Sequence, residues 1–269
     1  MTWVDALILG IIEGITEFLP ISSTGHLIIG SAVLGLNPDD FLKLFTVAIQ
    51  LGAILSVIVL YFKKFFDFSS SDAFFRFYMK LLVAFIPSAV IGVLLNDIID
   101  RMMENPVAVS VFLLLGGVFF VYSDKLFADN KKTEKHISFK DAFMIGLFQC
   151  IAMFPGVSRS GATIIGGLFR KLTKKAAAEF SFFLAVPTMF GATAKKMYDF
   201  FKYHDTISQD EWQLLLFGNI VAFVVALMAI KFFISLLQKT GFALYGWYRI
   251  LLGSIILMLY FSGVSLHIV

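Results

Sequence analysis

The sequence predicts an all-α polytopic membrane protein: an inverted-topology repeat of six transmembrane helices plus two re-entrant helix-loop-helix hairpins. Three observations carry that prediction. Hydrophobic residues fill 59% of 269 positions and charged residues only 15%, with 32 Phe, an apolar share well beyond that of soluble domains. The apolar runs come in two lengths, one sufficient to cross a bilayer and one well short of it. The chain also repeats itself: shifted by 136 positions, Gly146 to Gly166 (GLFQCIAMFPGVSRSGATIIG) overlays Gly10 to Gly30 (GIIEGITEFLPISSTGHLIIG) without a gap.

Taken in order, residues 5–18 and 24–36 are each about 20 Å long as helix, against a hydrocarbon core of about 30 Å, so neither spans. The first run lacks the positive flank of a signal peptide and is expected to be mature structure. Between the two, Pro20 and the Ser22-Ser23-Thr24-Gly25 run interrupt and restart the helix, as in a re-entrant hairpin whose open backbone is buried in protein or faces water. Residues 141–154 and 160–169 repeat the pattern. Full-length spans are expected at about 41–62, 77–95 and 106–122, and again near 176–195, 213–234 and 242–262. One hairpin plus three spans makes a half. The reading is a single membrane domain, with repeat 1 over about 1–122, a polar linker at 123–140 and repeat 2 over about 141–269.

Three spans per half is an odd number, so the second half starts on the opposite side from the first. The segments 63–80, 123–140, 170–175 and 231–239 hold 15 Lys and Arg, against Lys43, Arg101, Lys195, Lys196 and Lys202 on the other side. By the positive-inside rule the richer set is cytoplasmic, and both termini and the first hairpin face outward. The net charge of +3 carries little beyond that distribution. Cys150 is the single cysteine; it has no Cys or His at zinc-site spacing and reads as a small hydrophobe.

The two hairpins differ where chemistry would reside. The first has Glu13, Glu17, Ser23 and His26 where the second has Gln149, Met153, Arg159 and Ala162. Glu13 and Glu17, four apart, share one helix face. Like charges at membrane depth invite a shared proton or a divalent cation, and carboxylate oxygens suit Mg²⁺ or Ca²⁺. The plainer reading is a surface pair near a helix end. At each break hydroxyls precede a short helix, Ser22, Ser23 and Thr24 in one case, Ser158, Ser160 and Thr163 around Gly161 in the other. Side-chain hydroxyls and free N–H groups there bind anions, although Ser22 and Ser158 also suit simple capping. Arg159 needs an anionic partner and matches phosphate with its planar fork; an ion pair with a glutamate is the alternative. His26, one turn beyond Ser23, has the reach of a general acid or base. Gln50, Asn219 and Arg249 read as interhelical hydrogen-bond partners, and Asp40 and Glu179 as carboxylates at helix starts.

The motifs EGITEFLPISSTGH and PGVSRSGAT, with AAEFSFFLAVP at 177–187, resemble the undecaprenyl-diphosphatase family, the bacitracin-resistance phosphatases of bacterial plasma membranes, over essentially the whole chain. The resemblance implies hydrolysis of undecaprenyl diphosphate to the monophosphate and inorganic phosphate, which recycles the lipid carrier of cell-wall synthesis. Its first motif falls on Glu13, Glu17, Ser22, Ser23 and His26, and its second on Ser158, Arg159, Ser160 and Thr163. The partners implied are the lipid substrate and the surrounding membrane, with a homodimer compatible and no nucleic acid.

For mechanism, the expectation is that Ser23 attacks the terminal phosphorus while His26 handles its proton and Glu13 and Glu17 hold the cation; attack by an activated water is the alternative. A lipid flippase or secondary transporter is the competing class, since inverted repeats with broken helices are its signature. The concentration of Glu, Ser and His in one hairpin favours the enzyme.

Overall fold

The computed structural model describes residues 1–37, 39–68, 70–95, 105–204, 206–264 and 266. Arg101, counted above among the outward basic residues, lies outside them. Among the described residues the protein is helical, with no strand beyond an isolated bridge between Lys132 and Leu172.

Helix α1 (Trp3–Thr16) starts at a capping box: the Thr2 hydroxyl accepts from Asp5 N at 3.3 Å while the Asp5 carboxylate accepts from Thr2 N at 2.6 Å. The same device, 136 positions on, opens α7 (Phe139–Ile151) with Ser138 and Asp141. At 14 and 13 residues both are near 20 Å at about 1.5 Å per residue, too short to span. Each gives way to a non-helical break and then to an 11-residue helix, α2 (Ser23–Val33) in one half and α8 (Arg159–Phe169) in the other.

Among the described residues, six helices are long and apolar enough to cross a membrane. They are α3 (Asp40–Leu60), α5 (Ser71–Leu94), α6 (Pro106–Leu126), α9 (Lys174–Tyr203), α10 (Gln209–Thr240) and α11 (Ala243–Phe261). A four-residue helix, α4 (Phe62–Phe65), follows α3. Several ends differ from expectation. Helix α6 continues to Leu126 because nothing in Ser123-Asp124-Lys125 breaks a helix, so the linker is shorter than 123–140. Helix α9 runs 30 residues, about 45 Å, past the expected end at 195. The ion pair between Lys195 and Asp199 at 2.6 Å supports that polar extension. The linker contains a 3₁₀ turn (Glu134–His136) and is tied to the corner before α9, with Lys132 N donating to Lys171 O at 3.0 Å and Thr173 N to Lys132 O at 2.9 Å.

Each hairpin leans on the other half. Helix α1 packs along α10 and α7 along α5, while α3 lies against both α9 and α10, and α6 runs against α11. Glycine permits these close crossings. A side chain at Gly117 would strike the Gly246 carbonyl, and one at Gly246 would strike that of Gly117, so α6 and α11 meet backbone to backbone. The largest core cluster gathers Phe18, Phe120, Phe182, Phe233 and Tyr245 around the hairpin breaks. Leu115, Leu216, Ile220, Met228, Leu251 and Met258 face outward, as lipid-facing surfaces require.

Candidate active site

The first break begins where Glu17, still helical with its N–H bonded to Glu13 O, caps α1. Ser22 then turns the chain at φ 69°, and Ser158 does the same at φ 75° in the second break. Positive φ is costly for a residue with a Cβ, and such strain persists only where the surroundings hold it. Each serine hydroxyl caps its following helix, Ser22 Oγ accepting from Gly25 N at 3.5 Å and Ser158 Oγ from Gly161 N at 3.2 Å. The breaks also touch: Ser160 Oγ donates to Leu19 O at 2.9 Å and lies 3.0 Å from Ser158 Oγ.

Glu17 is the junction of the site. Its Oε2 accepts from Ser23 Oγ at 2.8 Å and its Oε1 from Arg159 Nη2 at 2.7 Å. The Arg159 and Glu17 side chains are 9% and 4% exposed, so the charges are removed from water together, which is tolerable only as a pair. Arg159 Nη1 donates to Ser181 O at 3.0 Å, and the guanidinium lies over the Phe18 ring at 5.9 Å. Thr163 Oγ1 is 2.6 Å from Ser181 Oγ and bonds back to Arg159 O at 2.9 Å, which fixes the root of the arginine. Gly161 and Thr163 are buried, and Thr24 is half-buried beside Ser23.

Two polar groups here are unsatisfied. Both oxygens of Glu13, which is fully buried one turn before Glu17, lack a hydrogen-bond partner, and so does Arg159 Nε. These two groups flank the Glu17–Arg159 ion pair, and buried polar atoms left open in this way call for a partner. Glu13 and Glu17 fit a hard divalent cation: the free Glu13 oxygens and the second lone pairs on Glu17 are oxygen donors on one helix face. Among the described residues no group of three or more His, Cys, Asp or Glu converges in a metal-holding arrangement, so further ligands would be hydroxyl, backbone carbonyl, water or substrate oxygens.

The structure brings Glu17, Ser23 and Arg159 into one hydrogen-bonded chain, with Glu13, Ser158, Ser160 and Thr163 around it. His26 is engaged elsewhere. Its Nδ1 lies 2.7 Å from Ser22 O and its Nε2 2.7 Å from Tyr248 Oη. A carbonyl only accepts, so Nδ1 carries the hydrogen and Nε2 of the neutral ring accepts from the tyrosine. Ser181 and Tyr248 were not singled out from sequence. Ser181 sits inside the AAEFSFFLAVP motif, where a serine among apolar residues was the available signal.

Arg249 is fully buried and has five carbonyl partners. It donates to Pro20 O at 3.2 Å in the first break, to Gly156 O and Val157 O at 2.9 and 3.0 Å in the second, and to Phe112 O and Leu113 O on α6 at 3.1 and 3.4 Å. Asn219 accepts from Gly52 N at 2.7 Å across α10 and α3. Both are the interhelical partners expected, with Arg249 reaching both breaks as well.

Fold and site together define a multi-pass helical membrane protein with a buried carboxylate–hydroxyl–guanidinium centre assembled from two interrupted hairpins. The model of the family described as bacitracin resistance protein BacA matches residues 6–255, and the chain belongs to that family. It is 56% identical over 263 residues to an undecaprenyl-diphosphatase of Flavobacterium johnsoniae, covering 97% of each chain. It is 50% identical over 282 residues to one of Porphyromonas gingivalis, covering 100% of each. A third, from Aquifex aeolicus, is 44% identical over 256 residues, covering 94% of this chain and 96% of the relative.

Proposed function

We infer that this chain is an undecaprenyl-diphosphatase, an integral membrane hydrolase that converts undecaprenyl diphosphate to undecaprenyl phosphate and inorganic phosphate. The observation that carries this reading into chemistry is Glu17 bridging Ser23 and Arg159 within a chain of that family. The Ser23 hydroxyl attacks the terminal phosphorus as its proton passes to Glu17 Oε2, the group it already faces, rather than to His26 as the sequence suggested, because the two His26 nitrogens are engaged with Ser22 O and Tyr248 Oη. The bond from that phosphorus to the bridging oxygen breaks, and the undecaprenyl phosphate leaves with the electron pair. Water then attacks the phosphoserine phosphorus, losing one proton to His26 Nε2, while the bond from phosphorus to Ser23 Oγ breaks and Glu17 Oε2 returns its proton to that oxygen, releasing phosphate; His26 afterwards gives its proton to solvent. Arg159 matches two phosphate oxygens with its fork, and the N-termini of α2 and α8 add backbone dipoles. Charge stabilisation of this kind supplies most of the catalysis in phosphoryl transfer. Glu13 and Glu17 would hold Mg²⁺ or Ca²⁺, which when bound neutralises diphosphate charge. Thr24, Ser158, Ser160, Gly161 and Thr163 shape the phosphate pocket.

The chain is one domain of two inverted repeats with re-entrant hairpins. The reciprocal packing of α1 on α10 and α7 on α5 supports this, as do the matched positive-φ serines. The pocket opens to the outer face, a reading supported by the 15 basic residues sorted to the opposite side. A C-terminal tag labelled only from the cytoplasm in intact cells overturns that orientation.

Function is tested by purified protein in detergent, without a potential or ion gradient, given undecaprenyl diphosphate and Mg²⁺ or Ca²⁺. Phosphate release is expected; none from folded protein removes the enzymatic reading and leaves transport.

A further inference from the structure

Tyr248 lies on α11, 222 positions from His26, and places its hydroxyl 2.7 Å from His26 Nε2 with the two rings nearly parallel, at an interplanar angle of 4°. The other ring nitrogen is held by the carbonyl of Ser22, the residue whose positive φ turns the first break. Both nitrogens are therefore fixed, one by backbone and one by a side chain from another helix. We propose that Tyr248 is a positioning residue for the phosphatase reaction, holding the plane of the His26 ring so that Nε2, the nitrogen that the Ser22 carbonyl leaves basic, is presented to exchange a proton.

The argument is steric and chemical. His26 is half-buried on a short helix, and a ring tethered only at Nδ1 can still swing about its side-chain torsions. A carbonyl at Nδ1 compels that nitrogen to carry hydrogen, which leaves Nε2 as the one basic site. A phenol there donates to the neutral ring and, by rotating its hydrogen, accepts from the protonated ring, so it serves both states. Tyr248 is 42% exposed, so the pair is open to the outside of the protein at its phenol end. Tyr248 precedes Arg249, which anchors α11 to Pro20 O and Val157 O, so the phenol is held in register with the break that carries Ser22 and Ser23.

The proposal rests on His26 carrying a proton in the reaction, and the experiment separates the two. Tyr248→Phe and His26→Asn are purified, checked for a wild-type melting temperature, and assayed for turnover, with ring ¹⁵N signals recorded on histidine-labelled protein and His26 assigned by its loss in His26→Asn. The expected result for Tyr248→Phe is a five- to tenfold fall in kcat with KM within twofold, together with a shift of the His26 Nε2 signal. Wild-type kcat in Tyr248→Phe while His26→Asn is impaired overturns the role of Tyr248 and leaves that of His26. Wild-type kcat in His26→Asn removes the proton role of His26 and the proposal with it. A fall in kcat with the His26 signal unmoved also overturns it, because the hydroxyl then acts on something else.

Discussion

Glu17 and Arg159 meet at 2.7 Å although 142 positions separate them. The two residues occupy non-equivalent places in the repeat, one before its break and one after, so the contact crosses between the hairpins. The carboxylate keeps its second oxygen for Ser23. A guanidinium and a hydroxyl from different hairpins are thereby held side by side, and the same carboxylate orients both.

Arg159→Lys should lower kcat/KM by more than about tenfold, or about 1.4 kcal/mol. The arginine reaches Glu17 with Nη2 and Ser181 with Nη1, and one ammonium at the end of a flexible stem cannot reproduce that planar fork or the paired donors the proposed phosphate contact needs. Steady-state kinetics on folded variant decides. Turnover close to wild type would reduce Arg159 to background charge.

Ser23→Ala and Ser23→Cys test the nucleophile. Both should retain less than about a tenth of wild-type turnover, a loss above about 1.4 kcal/mol, and a rapid acid quench of wild type should trap phosphate on Ser23. If either variant exceeds that tenth, water is the nucleophile and Ser23 only binds. The Ser23 to Glu17 hydrogen bond would then orient a ligand rather than activate an alcohol.

Much of this was legible in the sequence because bilayer physics leaves few choices. The six long apolar runs are the six candidate spans, and Ser22 and Ser158 fall at breaks with nearly the same geometry. Glu17, Ser23 and Arg159 stood out because polar groups in such runs need partners. Hidden from view were the partners that carry no side-chain signal. Arg249 is held by five carbonyls, and any residue type can supply a carbonyl. Tyr248 lies next to Trp247 and near Tyr245, so from sequence it reads as one more interfacial aromatic. The end of α9 at Tyr203 lies beyond the expected span of about 176–195, because the apolar length that crosses a bilayer does not set where a helix stops.

Asp141, buried at the start of α7, accepts from Ser138 N and Oγ at 2.8 and 2.7 Å, from Arg170 Nε at 2.9 Å and from Lys132. Burial alone would raise its carboxyl, but these donors together hold it well below the usual carboxylate range. A depressed carboxylate contributes stability that is fully present above its unfolded value, about 3.9, and is lost as pH falls toward the folded value. Asp141→Asn should therefore be less stable than wild type by a constant margin from about pH 5 to 8, and the margin should shrink below about pH 4. Unfolding in detergent across that range measures it. A margin that instead closes near neutrality would mean that another group sets it.

Arg249 makes the last prediction, because its role is positional and can be probed without touching it. Buried carbonyls that lose a donor cost about 1–3 kcal/mol each, and lysine has three donors on one atom, too few and too compact to span five carbonyls from three segments. Arg249→Lys should destabilise the protein by about 3 kcal/mol or more. Gly116 lies under the same guanidinium, and a Cβ there would collide with Nη2. Gly116→Ala should therefore produce the same lowered melting temperature and loss of turnover while the arginine is retained. Agreement between the two variants ties the effect to the seat of the guanidinium between the breaks. If Gly116→Ala melts and turns over like wild type while Arg249→Lys does not, the arginine acts through its charge and not by holding the two hairpins in register.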